Sequence, residues 1–180
     1  MWLSLFDHPD GVEPRPGQRI VLDVGRGEAW YGDAGLPEGH ALVWELSEAA
    51  PEEAALAAEV DPDPHGEWLL RCDRVEFPPG GVAYRHVHPG PGIRYLLYGT
   101  LRIDAEGGSH TYGPGQAWFE GAEYPVLATA DESVETAFVR VLLLPAQWEG
   151  KRTIRYLDPA DEAKPKLQRA TIYLEQRIEL

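Results

Sequence analysis

The sequence predicts an all-β fold, a sandwich or a barrel, on three observations. Short runs of β-branched, aromatic and aliphatic residues recur along the chain, clusters of Gly and Pro separate them, and no heptads, low-complexity tract or internal repeat is present. In order the runs are RIVLDV at 19–24, ALVWEL at 41–46, EWLLRCDRVEF at 67–77, GIRYLLYGTLRI at 92–103, YPVLATA at 124–130 and TAFVRVLLL at 136–144. PPGG at 78–81, HPGPG at 88–92, EGG at 106–108 and GPG at 113–115 read as tight turns, where Gly supplies positive φ and Pro fixes φ. One segment departs from the pattern: PEEAALAAE at 51–59 has Pro at a helix start, acids in the first turn and then strong helix formers, so a short helix is expected there. Towards the end, Thr171 to Leu174 reads as a strand and DPADEAKP at 158–165 as a loop. Without an internal repeat, one barrel is expected rather than a tandem pair.

The totals exclude several functions. A chain of 180 residues is of a size to bury one core. Its formal charge of -14, from 30 acids and 16 bases, argues against nucleic acid and anionic membranes, which are bound through clustered Lys and Arg. Residues 151–180 run against this trend: seven bases and five acids give +2, against -16 for residues 1–150, and the segment reads as a solvated face that pairs with the acidic body. Cys72 is the sole cysteine, which excludes an internal disulfide and any Cys-rich zinc module; it reads as a small buried hydrophobe. The first residues, MWLSLFDHPDG, lack a basic n-region and a long apolar run, and no stretch is apolar enough to span a bilayer, so a cytoplasmic location is expected. No P-loop or Gly-x-Ser-x-Gly pattern occurs, which removes nucleotide hydrolysis and serine-esterase chemistry.

The chemistry concentrates in GGVAYRHVHPGPGIRYLLYGTLRI, from Gly80. Alternate residues of a strand share a face, so Tyr84, His86 and His88 are expected to project together, with the two imidazoles starting roughly 6–7 Å apart at the backbone. Gly80, His86, His88 and Gly99 stand at the spacing Gly, five residues, His-x-His, ten residues, Gly. This resembles the first motif of the cupin superfamily; GPGQAWFEGAEYPVLA matches the second in outline, with Gly113 and Gly121 in place. The resemblance covers roughly residues 67–145 and implies a jelly-roll β-barrel core there. Residues 1–66 are then an N-terminal extension carrying strands and the short helix, and residues 146–180 a C-terminal extension. Both are expected to pack on the barrel or across a twofold dimer interface, covering the outward-facing Ile93, Tyr95 and Leu97.

The departures from the family pattern concern its metal ligands. The metal-binding Glu of the first motif falls on Gly92 and the metal-binding His of the second on Tyr124, while the second motif's Pro and Asn are Phe119 and Ala128. Strand parity puts Gly92, Arg94 and Leu96 on the inward face, so a guanidinium stands near the position of the lost carboxylate. Two readings of the pocket stay open. In the first, His86 and His88 hold a divalent Fe, Mn, Ni or Zn with one carboxylate, for which Glu120 is preferred because Glu123 has outward parity, and the metal serves an enzymatic reaction. In the second, His86, His88, Arg94, Tyr84 and Tyr124 cradle a small acid, such as a carboxylate, without metal in a non-catalytic binding or sensory protein. The resemblance itself spans dioxygenases, isomerases, decarboxylases, sugar-binding domains and storage proteins, so it implies a fold more than a reaction. His8, His40 and His65 fall among turn residues and read as exposed, His110 as a surface group, and Trp118 as a cap on the barrel mouth.

Overall fold

The computed structural model describes residues 1–34 and 38–180. In chain order the strands are β1 (Trp2–His8), β2 (Arg19–Asp23), β3 (Glu28–Tyr31), β4 (Ala41–Ser47), β5 (Leu56–Glu59), β6 (Trp68–Phe77), β7 (Val82–Val87), β8 (Gly92–Tyr98), β9 (Leu101–Ala105), β10 (Gly108–Tyr112), β11 (Ala117–Glu120), β12 (Val126–Ala130), β13 (Thr136–Pro145), β14 (Arg155–Tyr156) and β15 (Arg169–Ile178). A 3-10 turn at Ala146–Trp148 and a one-turn helix, α1 (Pro159–Glu162), complete the described elements. Among the described residues no helix is long and apolar enough to cross a membrane.

The strands form three five-stranded sheets: β3-β2-β4-β1-β5, β11-β8-β13-β6-β15 and β10-β9-β12-β7-β14. The second sheet lies in the middle, and its two faces meet different partners because strand side chains alternate. From β13, Val139, Val141 and Leu143 join Leu5, Leu42 and Trp44 of the N-terminal sheet in one core, while Phe138 joins Ala83, Ile103 and Val126 of the third sheet in another. β13 is therefore buried on both faces along almost its whole length, which is why its sequence is a near-continuous apolar run. The middle and third sheets make the all-β jelly-roll barrel; the N-terminal sheet is a lid on its outer side. The cover for Ile93 and Tyr95 thus comes from the same chain, and Trp44 Nε1 donates to the Ile93 carbonyl at 3.1 Å across that boundary.

Three expectations are corrected. Residues 51–59 hold no helix; turns lead into β5, which pairs with β1 from Trp2 opposite Glu59 to Leu5 opposite Leu56. Without β5 that edge of β1 would leave a row of backbone donors and acceptors unpaired, and satisfying them outweighs the helix preference of an Ala-rich segment. The loop expected at 158–165 contains α1, whose start is capped by the Asp158 side chain accepting from the Ala160 amide at 2.9 Å. The run at 92–103 is two strands, broken at Gly99. Its φ of 76° and the Thr136 Oγ1 that a Cβ would meet at 2.4 Å leave room for glycine alone.

Candidate binding site

A cavity of about 490 Å³ lies between the middle and third sheets. His86 and His88 line it from β7 and the turn that follows, and both are buried. Tyr84 does not join them. Val126 faces His86 and Ala128 faces Ala83, so two residues of β12 span three of β7 and the strand bulges between them. The extra residue inverts the alternation, bringing Ala83 to the cavity and leaving Tyr84 half-buried outside it, with the Lys164 ammonium over its ring at 4.4 Å. Tyr124 is also outside the lining: it is exposed on the surface and its hydroxyl donates to the Glu106 carbonyl at 2.8 Å.

Two buried ion pairs of the cavity sit at one level of the barrel. Arg94 on β8 lies directly opposite Arg140 on β13, and Arg140 in turn lies opposite Asp73 on β6. Like charges placed opposite one another on adjacent strands repel, and each guanidinium here is met by its own carboxylate. Arg94 Nη2 faces Glu120 Oε2 at 2.7 Å, and Arg140 Nε donates to Asp73 Oδ1 at 2.7 Å with Nη2 reaching Oδ2 at 3.2 Å. Trp118, expected at the mouth, is instead buried in the cavity wall, stacked on Tyr112, and gives its indole N–H to Glu120 Oε1 at 2.8 Å. Burial brings the Arg94 guanidinium down to about 10, with Glu120 pulling the other way, so it stays charged at neutral pH.

The imidazoles are neutral in this setting. Burial lowers the His86 pKa, Glu120 and the Tyr84 backbone oppose the shift, and Arg140 and Arg94 add to it. His88 is held well below the ordinary histidine range, by burial first and then by Arg140, His86 and Arg94. Hydrogen bonds select the tautomers: His86 Nδ1 donates to the Tyr84 carbonyl at 2.7 Å, leaving Nε2 as an acceptor, whereas His88 Nε2 accepts from Arg140 Nη1 at 3.2 Å, so its proton resides on Nδ1. That Nδ1 is closed off from the cavity, and the Thr153 backbone beside His88 opposes the lowering of its pKa. Both folded-state pKa values lie below the unfolded value of about 6.5, so the unfolded chain binds more protons as pH falls. The stability these histidines contribute is complete above about pH 6.5 and is lost as pH drops through their folded values. The urea midpoint is expected to fall between about pH 7 and about pH 5, and a His86→Gln/His88→Gln variant to show a flatter profile; an equally steep one would remove the histidines as its cause.

A metal does not fit these groups. Among the described residues no three His, Cys, Asp or Glu side chains are placed to hold an ion. Glu120, the expected third ligand, lines the cavity but is committed to Arg94 and Trp118, and Asp73 is committed to Arg140. The missing carboxylate cannot be supplied at position 92, because a Cβ on Gly92 would meet the Val141 carbonyl oxygen at 2.5 Å and Leu142 Cδ2 at 2.6 Å, with Arg94 Nη1 at 3.2 Å.

The rim comes from the C-terminal extension. Lys151, Arg152, Lys166 and Arg169 all line the cavity, on a chain whose formal charge is -14. Arg71 anchors this segment: buried on β6, it donates to the Lys151 carbonyl at 2.8 Å and pairs with Glu175 of β15 at 2.5 Å. Arg71, Asp73 and Arg140 were not among the expected site residues. The available signal was charge inside otherwise apolar strand runs, at the parity that faces the third sheet.

A two-sheet barrel with a side-chain-lined interior is an architecture of the jelly-roll class. Residues 73–135 match the family described as Cupin domain, in accord with the resemblance read from the sequence. Solved structures similar to it include the polyketide cyclase RemF from Streptomyces resistomycificus, at 20% identity over 52% of this chain and 62% of that one, TM-score 0.40. Others are the DMSP lyase DddQ from Ruegeria pomeroyi DSS-3, at 22% identity over 50% and 44%, TM-score 0.43, and an RmlC-like cupin from Shewanella frigidimarina NCIMB 400, at 18% over 44% and 69%, TM-score 0.39. The match to the first of these spans less than two thirds of its length. No curated protein gives a significant sequence match.

Proposed function

We propose that the barrel binds a small organic acid and does so without a metal. The observation that carries this reading is the pair of buried guanidiniums, Arg94 and Arg140, opposite one another in register and facing the same cavity as His86 and His88. Guanidinium N–H groups are donors suited to a carboxylate, and Arg140 keeps N–H groups beyond those it gives to Asp73 and His88. The basic rim supports the same conclusion, since a cluster of cations at the mouth of an acidic protein draws anions to that one place. The role is one of binding and sensing; the groups at the polar level hold a ligand through charge and hydrogen bonds.

The test is elemental mass spectrometry on the untagged chain beside His86→Ala/His88→Ala, together with thermal unfolding of both in organic acids. Metal well below stoichiometry in both proteins is expected, even after incubation with Fe, Mn, Ni or Zn. An acid at a hundred times its dissociation constant is expected to stabilise the wild type by about 2.7 kcal/mol, and the variant by much less. Near-stoichiometric metal that disappears in the variant would overturn the metal-free reading.

A further inference from the structure

The registers that bring the buried ion pairs together also keep them apart from most of the apolar lining of the two facing sheets. On β6 the inward residues run Arg71, Asp73, Val75, Phe77, from charged to apolar. β13 follows suit: Arg140 is opposite Asp73, and Phe138 is opposite Val75. On β8 the level of Arg94 is that of Arg140, and the next inward residue, Leu96, is opposite Phe138. The facing sheet repeats the division. His86 is level with Val126, while Ala83 is level with Ala128, which pairs with Ile103, and Ala130 beyond it pairs with Leu101. Four strand pairs thus separate a charged level from one walled by Val75, Phe77, Leu101, Ile103, Ala128 and Phe138, while β15 at the rim runs the other way, with Ile172 opposite Asp73 and Arg169 opposite Glu76.

From this segregation, and resting on the acid-binding reading above, we infer that the ligand is amphipathic: a monocarboxylic acid with an apolar body. Its carboxylate lies at the level of His86, His88 and Arg140, and its hydrocarbon part extends toward Phe77, Leu101 and Ile103. A compact polar diacid would leave the apolar end in contact with water or empty. An apolar molecule without the acid would set hydrocarbon against the level of His86 and Arg140 at the other end. A volume of about 490 Å³ is in the range of pockets that enclose most of a ligand's surface. Such a ligand gains affinity from its body, because each methylene removed from water strengthens binding roughly fourfold.

The experiment is isothermal titration calorimetry on the full chain with butanoate, hexanoate, octanoate, 1-octanol and succinate. Affinity is expected to rise roughly fourfold per methylene from butanoate to octanoate, with 1-octanol and succinate each at least tenfold weaker than octanoate. Ala128→Phe, which fills the apolar end, is expected to abolish the gain from hexanoate to octanoate while butanoate still binds. Succinate binding as well as octanoate, or a flat series across the three monoacids, would overturn the amphipathic ligand and leave the acid pocket standing. 1-Octanol equal to octanoate would overturn the acid pocket itself, as would no binding by any acid. The wild-type comparison decides between these outcomes even where Ala128→Phe does not fold.

Discussion

Replacing Asp73 by alanine lowers the free energy of unfolding by about 3–5 kcal/mol, the usual cost of removing one partner from a buried ion pair. Asp73 and Arg140 are both buried, and Asp73 holds the guanidinium through two contacts at 2.7 and 3.2 Å. Without it, Arg140 is a buried cation directly opposite Arg94, whose own counter-ion Glu120 cannot serve both. Denaturant titration of the variant measures the loss. The origin of the loss is checked by Asp73→Leu/Arg140→Met, which removes both charges and is expected to recover most of the stability, since an apolar pair of similar volume often matches a buried ion pair. That double variant is also expected to lose its affinity for acids. A cost below about 1 kcal/mol for Asp73→Ala would place the pair in the class of solvent-screened bridges and contradict the burial described above.

Trp44→Ala is expected to cost a similar amount, about 3–5 kcal/mol, for a different reason. Trp44 is fully buried between the N-terminal sheet and the middle sheet, among Leu5, Leu42, Ile93 and Val141. Its removal leaves a cavity in the seam and an Ile93 carbonyl without its indole donor. Trp44→Phe keeps most of the volume and loses the hydrogen bond, so its cost is expected nearer about 1 kcal/mol. Denaturation followed by tryptophan-independent circular dichroism separates the two. If both variants cost the same, the hydrogen bond rather than the packing holds the seam.

Much of this architecture was legible in the sequence, and the reasons for the exceptions are physical. The apolar runs between Gly and Pro clusters marked β2, β4, β6, β8, β12 and β13, because alternation and turn chemistry are local signals. His86, His88 and Arg94 line one cavity, on the faces that spacing and parity gave them, and Glu120, whose direction parity left open, lines it too. Tyr84 does not, since a single bulge reverses parity on one side of it and no residue of VAYRHV announces a bulge. Residues 51–59 became a strand because β1 needed a partner, and such a need is invisible from the segment itself. The fates of Glu120 and Asp73 were hidden for a related reason. Their binding to Arg94 and Arg140 depends on cross-strand register between distant segments, which composition does not encode.

The placement of the Arg71 anchor and the basic rim has a consequence for how the pocket comes into being. β14 and β15 form the last strands of the third and middle sheets, and both lie beyond residue 154. During synthesis the barrel strands up to β13 therefore emerge first, with β6 and β7 each exposing an unpaired edge and the cavity open along that side. The final stretch of chain then zips onto β6 from Arg169 opposite Glu76 to Ile178 opposite Trp68, sealing that edge and setting the cationic mouth in the same event. Because one segment both closes the edge of β6 and carries the basic rim, a change that detaches it is expected to expose that edge and to remove the rim together.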